Sequence, residues 1–105
     1  MTFSTFGPFT APGATNPVDT GAAPQAHTVQ IVTTGTPTTC TVQLEGSLDD
    51  AGAPSNWSNL SGPQTVTGPL FMFHVANRPI RLIRVNITAL SGGSSPTVAV
   101  RYMGV

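Results

Sequence analysis

Short apolar alternations broken at regular intervals limit most strongly what this chain can fold into. Cys40, Val42 and Leu44 alternate with polar residues over 39–46, and the same pattern occupies 27–33. Such period-two patterns are typical of strands with one buried face. Breaks recur at roughly the 8–12-residue spacing of sandwiches and barrels, and no stretch has a helical pattern. The sequence therefore predicts an all-β, antiparallel, jelly-roll-like β-sandwich of about six to eight strands.

Four more segments have the composition of strands. They cover 64–67, 70–76, 80–90 and 97–103. The apolar run at 70–76 favours a strand covered on both faces. In the segment 80–90, the alternation directs Ile83 and Val85 to one face and Arg84 to the other.

Residues 1–26 differ from the rest of the chain because proline and glycine interrupt them throughout. The prolines are Pro8, Pro12, Pro17 and Pro24. Neither a helix nor a central strand tolerates this density. We therefore expect residues 1–26 to form an extended or polyproline-like N-terminal arm, and residues 27–105 to fold as the sandwich domain without it.

The arm carries three of the five phenylalanines of the chain, Phe3, Phe6 and Phe9. A disordered tail is usually poor in aromatic residues. Because a polyproline II helix has three residues per turn, this spacing would align the three rings in one stripe. We interpret the stripe as a docking element that contacts another subunit. The alternative, an arm that folds back onto its own domain, stays open at this point.

Charge is scarce in this chain. Charged residues make up 8% of it, the net charge is zero and lysine is absent, whereas ordinary soluble domains are about 25% charged. A free monomer usually keeps a net charge for solubility, so this surface favours a protein held in an assembly. A soluble monomer with a hydroxyl-rich surface is the alternative. Nucleic acid is not expected as a main partner, because phosphate binding needs clustered basic residues.

The N-terminus lacks the basic and apolar regions of a signal peptide. No run approaches the roughly 20 apolar residues of a membrane span. We expect a protein that is made in a cytoplasm and stays there or leaves inside a larger particle, with no membrane partner.

The titratable groups give no basis for an enzyme. General acid–base catalysis needs positioned titratable side chains, and the candidates are two histidines and four acids. We expect His74 to be a core or interface residue, and His27, at the start of a strand, to be exposed. Cys40 lies in a strand pattern and is expected to be buried. No cofactor is expected.

Three acids, Glu45, Asp49 and Asp50, crowd the segment around one turn. Clustered carboxylates with loop carbonyls suit Ca²⁺, but the spacing matches no EF-hand, so we interpret the segment as an exposed acidic loop and assign no metal site. Arg81 is expected to emerge at a sheet end or to meet a carboxylate, and Glu45 and Asp50 are the candidates for that pairing.

Trp57, the only tryptophan, lies in the loop 46–63. On a loop, a tryptophan can stack on a sugar ring or anchor a protein contact. The alternative is a lid over one end of the sandwich. We keep Trp57 as a candidate surface contact.

The segment VQLEGSLDDAGAPSNWSNLSG, followed by RPIRLIRVNITAL, is similar to discoidin-type, galactose-binding-like jelly rolls. In that family a strand leads to a loop with a tryptophan, and a later strand has a sequence like ARYIRV. The matching positions here are Trp57, Ile80, Arg81, Leu82, Ile83, Arg84 and Val85. The resemblance implies a jelly roll and a carbohydrate-binding module, in which Trp57 would stack on sugar and Asp49, Asp50 or Arg84 would bind its hydroxyl groups.

The ending IRVNITALSGGSSPTVAVRYMG, residues 83–104, resembles small structural proteins of tailed bacteriophages. These proteins also often combine a Gly/Pro/Ala-rich arm with a threonine-rich β-sandwich. The resemblance implies a virion component, and among those a capsid decoration (cement) protein on the capsid surface fits best. Its expected partners are the major capsid protein and copies of itself, as a homotrimer, with Phe3, Phe6 and Phe9 in contact. A tail or head-fibre component is the alternative within the virion.

Overall fold

The computed structural model describes residues 2–49, 52 and 54–105, which form ten strands and no helix. The strands are β1 (Thr2–Phe9), β2 (Gly13–Ala14), β3 (Val18–Asp19), β4 (His27–Thr34), β5 (Thr39–Ser47), β6 (Ser58–Asn59), β7 (Gln64–Thr65), β8 (Leu70–Val75), β9 (Leu82–Ser91) and β10 (Thr97–Gly104). The all-β prediction is confirmed. The strand number exceeds the expected one because β2, β3, β6 and β7 have only two residues each.

The strands form two antiparallel sheets. The four-stranded sheet has the order β1-β10-β4-β8. The six-stranded sheet has the order β2-β9-β5-β6, while β3 also pairs with β9 and β7 with β5. No helix that could cross a bilayer occurs in the part of the chain that the structure describes.

The hydrophobic core lies between the sheets and is built from alternate residues of the long strands. Its members are fully or almost fully buried: Val29 and Ile31 from β4, Val98, Val100 and Tyr102 from β10, Val42 and Leu44 from β5, and Ile83, Val85 and Ile87 from β9. Burying each aliphatic side chain contributes roughly 1.5–3 kcal/mol. The predicted inward faces of the segments 27–33, 39–46 and 80–90 therefore match the structure, and Cys40 is buried as expected.

The N-terminal segment differs from the expected free arm, because it forms strands of the sandwich itself. β1 pairs with β10 at the edge of the four-stranded sheet, while β2 and β3 pair with β9 in the other sheet. The segment thus closes one side of the sandwich. Proline is compatible with this arrangement because an edge strand can leave one side of its backbone unpaired.

Further hydrogen bonds attach the segment between β1 and β4 to the domain. The amide of Thr15 donates to the carbonyl of Val85 at 2.8 Å, and the amide of Val85 donates to the Thr15 hydroxyl at 3.1 Å. The amide of Thr20 donates to the carbonyl of Arg81 at 2.8 Å. Both threonines are buried. Residues that looked like a linker therefore have their polar groups satisfied by the sandwich.

Gly7 accounts for the bend within β1. Its φ is +91°, and a Cβ at this position would lie 2.8 Å from the carbonyl oxygen of Val98. The register with β10 shifts between Phe6 and Phe9. A glycine is therefore required where the edge strand bends over β10.

Candidate functional site

The outer face of the four-stranded sheet carries exposed apolar side chains among polar ones, and we call it the apolar face. Its side chains are Phe3 and Thr5 from β1, Ala99, Arg101 and Met103 from β10, Thr28, Gln30 and Val32 from β4, and Leu70, Met72 and His74 from β8. Phe3 is 68% exposed, Leu70 is 65% exposed and Met72 is 50% exposed. Large apolar side chains at this exposure are characteristic of protein-contact surfaces when they share one face.

The strand register brings these apolar side chains together across the sheet. Phe3 lies opposite Met103 at one end, and Leu70 lies opposite Val32 at the other. Between them, Phe3, Met72 and Met103 line one shallow groove of about 270 Å³. The apolar face therefore crosses the sheet from one edge strand to the other.

Among the polar side chains of the apolar face, Arg101 and His74 carry the basic groups. Arg101 lies beside the groove, and the ion pairs among the described residues join other arginines, namely Arg81 and Arg84, to carboxylates. The Nδ1 atom of His74 lies 2.9 Å from the Thr28 hydroxyl. Arg101 is thus an exposed cation within an apolar surface, and it can bind a carboxylate of a partner. The expectation that His74 lies in the core is wrong; the interface alternative stays a prediction.

The three phenylalanines of the predicted stripe do not lie on one side. Successive residues of a strand point to opposite faces, so an odd spacing separates Phe3 from Phe6. Phe3 belongs to the apolar face, whereas Phe6 and Phe9 are half-buried and pack against the core. The polyproline geometry was the wrong assumption. Phe3 is the one ring of the three that is largely available to a partner.

A second surface cluster lies on the outer face of the six-stranded sheet, where β5 pairs with β9. The Nε atom of Arg84 donates to Glu45 Oε1 at 2.6 Å. The amides of Gln43 and Asn86 donate to Glu45 Oε2 at 2.6 and 3.2 Å. The Arg84 guanidinium carbon lies 4.5 Å from the centroid of the Trp57 ring, a cation–π contact.

Glu45 is the centre of this cluster and is only 6% exposed. Burial alone would raise the pKa of Glu45, but the hydrogen bonds from Arg84, Gln43 and Asn86 outweigh it and lower the pKa. The carboxylate is therefore charged at neutral pH, with its partners already in place. Trp57 covers this ion pair on the sheet face.

The ion pairs differ from the expected ones. Arg81 meets a carboxylate, as one expectation had it, but the partner is Asp19 of β3, through hydrogen bonds of 2.7 and 2.8 Å, while Glu45 binds Arg84. The sequence could not identify Asp19 because residues 1–26 were expected to lie outside the domain.

The acidic loop is organised by hydrogen bonds within the loop. Asp49 accepts the backbone amides of Ser55 and Asn56 at 2.8 and 2.7 Å. Asp50 lies outside the described residues. Over 2–49, 52 and 54–105, no three side chains of the metal-binding types His, Cys, Asp and Glu come together.

His27 is buried rather than exposed, so the expectation for this residue is wrong. It is 1% exposed and lies 2.6 Å from the Tyr102 hydroxyl and 2.8 Å from the carbonyl oxygen of Arg78. The signal was present in the sequence, because His27 has the same alternation as Val29 and Ile31. Its hydrogen bonds serve the packing of β4 against β10.

No protein-family model matches this sequence, and no curated protein matches it. Solved structures share its fold. The SPBc2 prophage-derived protein YomS superposes with a TM-score of 0.58 at 9% identity, over 96% of this chain and 91% of that chain. Chitosan-binding module 1 of a chitosanase/glucanase from Paenibacillus sp. IK-5 gives a TM-score of 0.52 at 18% identity, over 90% of this chain and 73% of that chain. PirA gives 0.52 at 19% identity, over 96% and 90%.

At these identities the similarity is one of fold. The two-sheet architecture is shared by a prophage-derived protein and by a module that binds chitosan. Fold alone does not determine function, which depends on the groups that a given chain places on that fold. A function for this chain must be argued on two surfaces, the apolar face and the second surface cluster, which we call the Trp57 cluster and which consists of Trp57, Arg84, Glu45, Gln43 and Asn86.

Proposed function

We propose that this chain is a virion structural protein of a tailed bacteriophage, and specifically a capsid decoration protein that binds the assembled head. The observation that carries the proposal is the apolar face, where Phe3, Leu70 and Met72 are half or more exposed on a hydrogen-bonded sheet. The prophage origin of YomS, which shares the fold, supports a phage setting. The major capsid protein is the proposed partner, and the capsid surface is the proposed location.

The physical basis is adhesion through a preformed surface. The backbone of paired strands is ordered before binding, so no backbone ordering has to be offset and more of the burial energy remains as affinity. Phe3, Leu70 and Met72 would provide the apolar contact, and Arg101 would pair with a carboxylate on the shell. Because the contact exists only on the assembled shell, binding stabilises that state by mass action. Attachment of several copies would strengthen it further.

The N-terminal segment contributes to the proposed contact surface as an edge strand, whereas the sequence predicted a free arm. Residues 2–9 present the Phe3 ring from an edge strand, while Phe6 and Phe9 hold that strand on the core. The segment therefore positions part of the contact surface instead of reaching out as a free tail.

Co-sedimentation with heads that lack this protein tests the proposal. Heads from a strain with the gene deleted are mixed with the wild-type chain, Phe3→Ser, Leu70→Ser or Leu48→Ser. Leu48 is 88% exposed and follows β5 in the other sheet, so Leu48→Ser is the matched control. We expect the wild type and the control to pellet with heads, and the two face variants to bind at least about tenfold more weakly, which is about 1.4 kcal/mol.

Equal binding by all four proteins would exclude the apolar face as the contact surface. Binding to isolated tails or head fibres in place of heads would move the protein to another part of the virion.

Carbohydrate binding is the second candidate, and the Trp57 cluster favours it. The Trp57 ring lies over the Arg84 guanidinium, which donates to Glu45, and an aromatic ring next to hydrogen-bonding groups has the elements of a sugar-binding surface. The chitosan-binding module with the same fold makes glucosamine oligomers the appropriate probe. Because Trp57 is the only tryptophan, its fluorescence reports binding directly. Isothermal titration calorimetry must then compare the wild type with Trp57→Ala, which carries no tryptophan. Saturable binding of these oligomers to the wild type that Trp57→Ala abolishes in the calorimeter, in a protein that remains folded, would favour this function over the capsid role.

A further inference from the structure

β8 is an edge strand whose outer side has no partner among the described residues. It pairs with β4 on its inner side only. The amide of Thr33 donates to the carbonyl of Pro69 at 2.9 Å, so these two residues form a hydrogen-bonded pair. Hydrogen-bonded and non-hydrogen-bonded pairs alternate along an antiparallel ladder, so this pair determines which residues of β8 bond to β4. Residues 71, 73 and 75 therefore turn their backbone groups toward β4. Residues 70, 72 and 74 turn theirs outward, as a row of free donors and acceptors.

This edge lacks the features that usually prevent strands from pairing between molecules. Protective features include proline, charged side chains and bulges. The sequence of β8, LFMFHV, has no proline, lysine, arginine or acid, and its register with β4 is regular. The opposite edge of the sheet is protected, because β1 contains Pro8 and its register shifts between Phe6 and Phe9. The two edges of one sheet thus differ in their capacity to accept a strand.

From this edge we infer that β8 pairs with β8 of a second copy of the chain, antiparallel and about a twofold axis at Met72. In that register Leu70 lies opposite His74 of the second copy, and Met72 lies opposite its own equivalent. All outward backbone groups of residues 70, 72 and 74 are then paired, which gives about six hydrogen bonds. The strand contains no lysine, arginine, aspartate or glutamate, so none of these charges meets a like charge across the pair.

The inward side of β8 is complementary to itself in the same register. Phe73 is buried, but Phe71 at the margin of the core is only half-buried, with its ring 6.2 Å from that of Phe73. The twofold register sets Phe71 opposite Phe73 of the second copy. Aromatic cross-strand pairs stabilise antiparallel strands by roughly 0.2–1 kcal/mol each. The exposed side of the Phe71 ring thereby gains a contact.

The paired sheet has eight strands and joins two apolar faces into one surface. This arrangement is a dimer and not the homotrimer expected from the phage resemblance. A ring of three built by extending this sheet would need β8 to pair with β1 of the next copy, where Pro8 and the shifted register interrupt the ladder. The inference concerns the free chain in solution and does not depend on the proposed binding to heads.

Sedimentation and hydrogen exchange of the wild-type chain test the inference without any partner. We expect a mass twice that of one chain at high concentration, falling to that of one chain on dilution. The amides of Leu70, Met72 and His74 should exchange about tenfold more slowly when nine-tenths of the chains are paired, because exchange then proceeds from the remaining tenth. By the same ladder alternation, the amides of Phe3 and Thr5 lie on the opposite free edge, and they should not slow with concentration.

Two lysine substitutions provide matched variants. Met72→Lys places two like charges at the twofold axis, while Phe3→Lys places one on the other edge strand of the same face. Both positions are exposed, so both variants should fold, which circular dichroism checks. We expect Met72→Lys to raise the dimer dissociation constant at least about thirtyfold and Phe3→Lys to change it less than about threefold.

A mass of one chain at every concentration would overturn the inference. Protection of the Phe3 and Thr5 amides together with those of β8 would also overturn it, since it would indicate head-to-tail pairing. A dimer that Met72→Lys leaves intact would place the interface elsewhere.

Discussion

The hydroxyl oxygen of Tyr102 lies 2.6 Å from Nδ1 of His27, inside the sandwich. The other ring nitrogen, Nε2, lies 2.8 Å from the carbonyl oxygen of Arg78. A carbonyl oxygen can only accept, so Nε2–H donates to it; in the neutral imidazole Nδ1 then carries no proton and accepts from the Tyr102 hydroxyl. The pair joins β4 and β10 to the segment before β9, and its hydrogen bonds account for the burial of His27.

Ionisation of Tyr102 should destabilise the fold at high pH. Burial raises the pKa of Tyr102 from its ordinary value of 10.0 to about 12. Below pH 10 both the folded and the unfolded chain keep the phenol proton, so Tyr102 makes its full contribution to the unfolding free energy. Between pH 10 and about 12 only the unfolded chain loses the proton, which should cost roughly 2–3 kcal/mol of unfolding free energy by pH 12.

The chain has one tyrosine, so its ultraviolet absorbance gives the titration directly. Tyr102→Phe removes the titrating group, and its unfolding free energy should not show this loss between pH 10 and 12. Titration of the folded wild-type protein near pH 10 would mean that Tyr102 is accessible to water.

The carboxylate of Glu45 should stabilise the fold above its ordinary titration range. The lowered pKa of Glu45 means that this stability is present at neutral pH and is lost as the pH falls through the folded-state value. Glu45→Gln should lower the unfolding free energy at pH 7 by about 1–3 kcal/mol, because Arg84 loses its charged partner. Urea denaturation at pH 7 and at acidic pH measures both effects.

Asp19→Asn is the control for Glu45→Gln at pH 7. It also removes an ion pair, that of Asp19 with Arg81, but both side chains of this pair are exposed. Exposed pairs contribute little because water competes for the same groups. A loss in Asp19→Asn equal to that in Glu45→Gln would show that burial of the Glu45 cluster is unimportant.

Phe3 and Phe6 should differ in their effect on stability. Phe6→Ala should cost about 1–3 kcal/mol because its ring packs against the core. Phe3→Ala should change the unfolding free energy by no more than about 0.5 kcal/mol, since its ring is mostly in water. Urea denaturation of both variants measures this difference. Equal small effects would indicate that β1 leaves the sheet in solution.

Deletion of residues 2–10 should destabilise the domain, in contrast to the free-arm hypothesis. The deletion removes β1, exposes the edge of β10 and removes the contacts of Phe6 and Phe9 with the core. The thermal midpoint should fall by at least about 10 °C. Circular dichroism on heating measures the midpoint, and an unchanged midpoint would support the free-arm hypothesis.

Most of the sandwich between 27 and 105 could be predicted from the sequence. The segments 39–46 and 97–103 became β5 and β10 almost residue for residue, because one buried face imposes strict alternation. Burial of Cys40 followed from the same alternation. His27 has it too, but a polar residue at a strand start was expected to face solvent.

The role of residues 1–26 could not be predicted from local composition. Proline and glycine argue against a central strand but not against an edge strand, and only the pairing with β10 decides between the two. In a paired strand the side chains alternate between the two faces with a period of two residues, whereas a polyproline helix has three residues per turn. The strand period places Phe3 outside and Phe6 against the core. The partner of Arg81 could not be predicted for the same reason, because Asp19 lies in this segment.

Electron cryo-microscopy of decorated heads tests most directly the claim that the apolar face binds an assembled phage shell. Heads lacking the protein are imaged before and after addition of the purified wild-type chain. The account predicts added density on the shell surface, with the four-stranded sheet facing the capsid and Phe3, Leu70 and Met72 in the contact. Density in which the six-stranded sheet and Trp57 face the shell, or no added density, would contradict it.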